Sequence, residues 1–232
     1  MPQYLADIKQ TEFFLNDAEA HHACTVARHK EGDEIYVFDG KGKQFKGRID
    51  KIQKKFVRGT LLEPCSVRRA ELTLTLAFVP NSRTGLEEVL DKGTQLGVST
   101  FLPLISERSE YDVLRKYDAK NDRWQQIMLC ACKQCNTPFL PQILPPLRFA
   151  EAVQNANTPS LLAYEAERTH TLVWGMEQLG HPKSLRVYVG PAGGWSDAEV
   201  SLAQRSGILP VTLGVNILRA ETACISVAAK LL

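Results

Sequence analysis

The chain has 232 residues, 44% of them hydrophobic and 23% charged, with 15 Gly and 12 Pro. That balance excludes disorder, collagen and coiled coil, and it suffices for one large domain or for a small domain and a medium one. The formal net charge of +2 is too small for the whole surface to coat nucleic acid, so any such signal must be local.

No stretch approaches the roughly 18 apolar residues that cross a bilayer, and the start, Met1 to Asp7, lacks the basic and apolar regions of a secretory signal. The expectation is a cytoplasmic protein with no membrane partner. Six cysteines are too sparse for a disulfide scaffold.

Residues up to about 70 read as short strands divided by turns. Glu34 to Phe38 runs into the turn Asp39-Gly40-Lys41-Gly42-Lys43, and Gln44 to Asp50 follows as the second arm of a hairpin. Lys55 to Leu61 supplies another strand, and glycine-punctuated strands at this spacing predict a small barrel or sandwich. Between Lys41 and Arg58 there are eight basic residues (Lys41, Lys43, Lys46, Arg48, Lys51, Lys54, Lys55, Arg58) against one acid, Asp50. They alternate with Phe45, Ile49, Ile52 and Phe56. This pattern fits phosphate contact, and it equally describes the solvent face of an exposed sheet.

From Ala70 strands alternate with longer amphipathic segments. Glu71 to Val79 reads as a strand; Leu86, Val89, Leu90, Gly93 and Leu96 recur at helical spacing; Ser99 to Ile105 returns as a buried strand. Further strands are expected at Leu161–Tyr164, Arg186–Val189 and Pro210–Leu213, with helices around 121–134, 196–206 and 221–232. This predicts α/β with a mostly parallel sheet. Pro138 to Pro146 holds four prolines and reads as a connection.

The expected metal content is none. On a helix, Cys132 and Cys135 lie about 60° apart while Cys130 points the other way, so the three do not converge on one ion. His21-His22 with Cys24 has no second pair at zinc-site spacing.

Two segments carry chemistry. In Val189-Gly190-Pro191-Ala192-Gly193-Gly194-Trp195-Ser196-Asp197-Ala198-Glu199, a strand enters a glycine-rich loop, and Ser196 with Glu199 forms a capping box that opens a helix. Such a loop lets a ligand approach the backbone at the carboxyl end of a strand. It contains neither a Walker-type nor a G-x-G-x-x-G phosphate motif, and the chain has no G-x-S-x-G elbow. The second segment is Leu213-Gly214-Val215-Asn216-Ile217-Leu218-Arg219-Ala220-Glu221-Thr222, where three polar residues stand at the start of an otherwise apolar helix.

Together the loops resemble those of the SPOUT methyltransferases, and more closely the branch of bacterial enzymes that methylate N3 of a uridine in 16S ribosomal RNA. The likeness extends to Lys92–Val98, Pro103–Ser109, Arg123–Ile127 and Ala131–Cys135. At the front, His21-His22, Val26-Ala27-Arg28, Gly32-Asp33 and Val37–Gly40 look like that family's small PUA-like β-barrel. The resemblance implies a PUA-like RNA-binding barrel over residues 1–70 and a SPOUT-type α/β domain with a deep trefoil knot over 71–232. It also implies S-adenosylmethionine as methyl donor and a homodimer that uses the last helix. The implied partner is 16S ribosomal RNA or the small ribosomal subunit.

Residue by residue, Gly190, Pro191, Gly193, Gly194, Leu213, Gly214, Ile217, Leu218 and Thr222 match positions that enclose the cofactor. Arg219 matches the group that would orient the uridine. Glu221 would accept its proton or bridge to Arg219. Arg28, Lys43, Lys46, Lys54 and Arg108 are the candidate RNA contacts. Four features of the usual family site are altered: Ala192 stands for Glu, Val215-Asn216 for Pro-Arg, Asn136-Thr137 for Gly-Arg and Gly85 for Lys. These departures keep two other readings in view, an RNA-binding relative without turnover and a methyltransferase of another RNA.

Overall fold

The computed structural model describes residues 3–53, 56–154 and 157–232. They form two compact units, residues 1–69 with 129–140, and residues 70–128 with 141–232.

The first unit holds β1 (Gln3–Leu5), β2 (Asp7–Lys9), β3 (Glu12–Asn16), α1 (Asp17–His21), a π-helical turn at His22–Val26, β4 (Glu34–Phe38), β5 (Gln44–Gln53) and β6 (Phe56–Pro64). Its strands run in the order β1-β4-β5-β6-β3-β2. Only Ala6 separates β1 from β2, so one bent segment lies at both edges of the sheet. Its first half pairs parallel to β4 and its second half antiparallel to β3. The sheet is thereby curled into a half-barrel. Strand periodicity sends Phe13 and Leu15 of β3, Ile35 and Val37 of β4, and Ile49 of β5 inward, where they pack with Tyr4 and Val57.

Residues 129–140 complete this unit. Leu129 and Cys132 pack on Phe38, Leu5 and Leu140. Buried Gln3 donates to the Cys132 carbonyl at 2.8 Å and the Thr137 carbonyl at 3.2 Å, while Gln44 donates to its side-chain oxygen at 2.6 Å. Lys133 meets Glu19 at 2.9 Å. Burial pushes the Cys132 thiol up to about 12, in keeping with its packing against Phe38 and Leu129.

The second unit contains β7 (Thr73–Phe78), α2 (Arg83–Leu96), β8 (Thr100–Ile105), most of α3 (Val113–Cys135), β9 (Gln142–Ile143), β10 (Leu147–Arg148) and α4 (Phe149–Gln154). It continues through β11 (Ser160–Ala163), α5 (Leu172–Gln178), β12 (Ser184–Val189), α6 (Asp197–Arg205), β13 (Leu209–Val211) and α7 (Ala220–Leu231). The strand order is β10-β8-β7-β12-β11-β13, with β9 also on β8, and every pairing is parallel. A sheet covered on both faces explains the apolar run through β8 and those at the carboxyl ends of β7 and β12. One core gathers Leu102, Leu104, Phe149, Leu162, Tyr188 and Trp195. α7 packs on α2 and on β7 and β12.

Several expectations need correction. The proline-rich stretch contains β9, a two-residue strand too short to show any periodicity. α3 begins at Val113 rather than near 121, and the short helices α4 and α5 carry too few turns to stand out in the sequence.

Candidate functional site

In a parallel sheet the loops at the carboxyl ends of the strands face the same way. Here the loops after β11, β12 and β13 enclose one cleft of about 260 Å³. Its walls include Gly190, Pro191, Ala192, Gly193 and Gly194 from the second loop and Leu213, Gly214, Ile217 and Leu218 from the third. Eight of the sequence candidates thus come together. Thr222 is not among the lining residues; it lies exposed on the first turn of α7.

The glycine loop is held from several sides. Trp195 is buried, stacks on Phe149 at 4.5 Å and donates its indole N–H to the Ala163 carbonyl at 3.0 Å. Its ring lies so near Gly190 that a Cβ there would stand 3.0 Å from it. Gly194 adopts φ +70°, and a Cβ there would overlap the carboxylate of Glu165. The Ala192 amide donates to Asn81 Oδ1 at 3.0 Å. Arg108 donates from Nη1 to the carbonyls of Gly193 at 2.8 Å and Trp195 at 3.3 Å. The expected capping box is present: Glu199 accepts from the Ser196 amide at 2.9 Å, and its other oxygen accepts from the Glu107 amide at 3.0 Å.

The third loop is fastened by Lys230, whose Nζ donates to the Leu213 carbonyl at 2.6 Å. Thr212 turns the chain by donating to the Gly214 carbonyl at 3.0 Å. Beyond it, Val215 and Ile217 expose 91% and 72% of their surface. Among the described residues, the peptide groups of residues 215–218 have no hydrogen-bond partner. Apolar side chains and free peptide groups on one loop are what a ligand of mixed polarity would cover.

Arg219 is the N-cap of α7 and is exposed, with no ion-pair partner among the described residues. The Arg219–Glu221 bridge weighed from the sequence is not formed. Glu221 turns instead toward Gly85 on the first turn of α2, where a Cβ would lie 3.8 Å from its Oε2.

In the first unit, Arg28 is exposed in a left-handed conformation, φ +58°, and Lys43 is exposed. Lys46 is tied to Glu34 at 2.6 Å, and Arg48 and Arg58 are paired with Asp50 and Glu12. Arg48 pairs within its own strand, but Lys46 and Arg58 are neutralised across strands by acids outside the counted stretch, which a linear count cannot reveal. Lys54 and Lys55 lie outside the described residues.

Sequence reasoning missed Asn81, Glu165, Arg168 and Lys230. Glu165 and Arg168 both line the cleft and follow β11. The rule that singled out the loops after β12 and β13 applies equally to this third strand end.

Comparison with known proteins adds to this geometry. Residues 68–232 match the RNA methyltransferase domain family, and residues 15–62 match the RNA methyltransferase PUA domain family. The chain belongs to the ribosomal RNA small subunit methyltransferase E family. The member from Synechocystis sp. is 34% identical over 90% of this chain and 69% of its own length. That from Bacillus subtilis is 28% identical over 91% and 86%. The crystal structure of the Neisseria gonorrhoeae ribosomal RNA small subunit methyltransferase E, bound to S-adenosyl methionine, covers 99% of this chain and 96% of its own. It has a TM-score of 0.88 and 28% identity. A Legionella pneumophila structure with the same bound cofactor has a TM-score of 0.87 and 27% identity, covering 99% and 95%.

Proposed function

We propose that this protein uses S-adenosylmethionine to methylate N3 of a uridine in 16S ribosomal RNA of the small subunit. The observation that carries this reading is the cleft between the glycine loop and the 212–218 loop, with the uncompensated guanidinium of Arg219 next to it in sequence. The residues present fit the cofactor: glycines leave the backbone accessible, Leu213, Ile217 and Leu218 offer apolar contact, and free peptide groups remain for a purine edge. When bound, the cofactor supplies an electrophilic methyl group on a sulfonium.

The protein then has to align and deprotonate. Arg219 orients the uridine and stabilises negative charge on its O2 or O4 as N3 loses its proton. Glu221, free of any bridge to Arg219, is the proton acceptor. Neither a metal nor a covalent protein nucleophile enters the scheme. Residues 1–70 act as the RNA-holding domain, through Arg28, Lys43, Lys46 and Lys54, and residues 71–232 as the catalytic domain. Arg108 serves RNA from a position where it also holds the glycine loop.

The family likeness supports a trefoil-knotted second domain and a homodimer that uses the last helix, α7. Among the described residues no helix is long and apolar enough to cross a membrane, and a ribosomal RNA substrate supports a cytoplasmic location.

The test is calorimetric titration with S-adenosylmethionine, followed by methyl transfer to free 16S RNA and to assembled small subunits. N3 methylation blocks Watson–Crick pairing, so the product appears as a reverse-transcription stop whose mass shift is then mapped. Binding with a stop that Arg219→Ala abolishes is the expected result. Absence of binding with and without RNA would leave an RNA-binding relative that lacks chemistry, and a stop only in another RNA would reassign the substrate.

A further inference from the structure

The loop after β11 brings two charged side chains to the cleft that neither glycine motif contains. Glu165 lies against Gly194, with its carboxyl carbon 3.0 Å from where a Cβ on that glycine would stand, and Arg168 lines the same cleft three residues later. Both are exposed. Among the described residues neither has a hydrogen-bond or ion-pair partner, and they do not pair with each other. Their neighbour Glu167 behaves differently: it accepts from the amides of Thr169 at 2.7 Å and His170 at 3.1 Å, which hold its carboxyl down at about 2. Glu167 therefore shapes the loop, and Glu165 and Arg168 are left to face the cleft.

We propose that Glu165 and Arg168 bind the zwitterionic amino-acid end of the cofactor, the carboxylate taking its ammonium and the guanidinium its carboxylate. This rests on the cleft being the S-adenosylmethionine site. One negative and one positive group, each uncompensated and on the same wall, match a ligand end that carries one charge of each sign. The rest of the cleft, apolar side chains and backbone from Leu213 to Leu218, suits the uncharged nucleoside.

The experiment measures Kd by calorimetry for three ligands: S-adenosylmethionine, S-adenosylhomocysteine, which keeps the amino-acid end without the sulfonium charge, and methylthioadenosine, which has neither. Glu165→Gln and Arg168→Gln should each weaken the first two by about tenfold, the scale of a lost hydrogen bond to a charged group, and leave methylthioadenosine unchanged. Equal affinities in variant and wild type would overturn the proposal. So would a Glu165→Gln loss confined to S-adenosylmethionine, which would assign Glu165 to the sulfonium, or a loss that includes methylthioadenosine, which would make these residues supports of the loop. If the wild-type protein binds none of the three, it is the cofactor reading that fails.

Discussion

The guanidinium of Arg108, just beyond the end of β8, donates to the carbonyl of Gly193 at 2.8 Å. One side chain thus ties the turn after one strand to the glycine loop after another. Arg108→Ala is expected to leave two loop carbonyls without this donor and to weaken S-adenosylmethionine binding by about five- to tenfold. Arg108→Lys should recover only part of the loss, since one ammonium cannot reproduce the planar fork. Calorimetry on both variants checks this, and unchanged affinity for the alanine variant would remove Arg108 from the support of the loop.

The two adjacent glycines should respond oppositely to a methyl group. A Cβ on Gly193 would meet Arg108 carbons at 3.5 and 3.6 Å, ordinary contact, whereas Gly194 has φ +70° and faces Glu165. Gly193→Ala is expected to keep its melting temperature. Gly194→Ala should lose about 1–2 kcal/mol of stability through the left-handed backbone alone, together with most cofactor binding.

Lys230 in the last turn of α7 should matter to the loop more than to the fold. Its side chain is exposed, and it donates to the Leu213 carbonyl at 2.6 Å. Lys230→Met retains the apolar stem and removes the donor. Stability should change by less than about 1 kcal/mol, while the cofactor dissociation constant rises about threefold, as measured by urea unfolding and calorimetry on the same preparation.

Glu87 gives a pH dependence of defined sign. Arg123 donates to it through two nitrogens at 2.7 and 2.8 Å and Arg83 at 2.8 Å, and these bonds hold its carboxyl down at about 2 against a usual 4.5. A carboxyl depressed on folding stabilises the native state above its unfolded pKa, and that contribution disappears as pH falls from about 4.5 toward 2. At pH 7 Glu87→Gln should be less stable by about 1–2 kcal/mol, a figure kept small because both arginines are half exposed. Denaturant midpoints of variant and wild type should draw together as pH falls below about 4.5 and converge only near pH 2.

The alternating apolar pattern of β4, β5 and β7, the helical spacing of Leu86 to Leu96 and the capping box at Ser196 are local signals, and each was legible because a residue and its near neighbours decide them. So were the two glycine loops, whose strand-to-helix grammar is written in consecutive residues. The neutralisation of Lys46 by Glu34 and of Arg58 by Glu12 was not, because those partners meet only when strands pair across many residues.

The sequence by itself determined the main strands and helices and marked two glycine-containing loops as ligand candidates, because backbone preference and periodicity act over a few residues; β9, α4 and α5 were too short to carry that signal. Only the tertiary structure decided that the turn after β11 joins those loops, that Arg108 and Lys230 fasten them, and that Glu221 faces Gly85 rather than Arg219. Parallel strands bring residues from distant parts of the chain to one edge of the sheet, and which of them meet depends on strand order, a property of the whole fold.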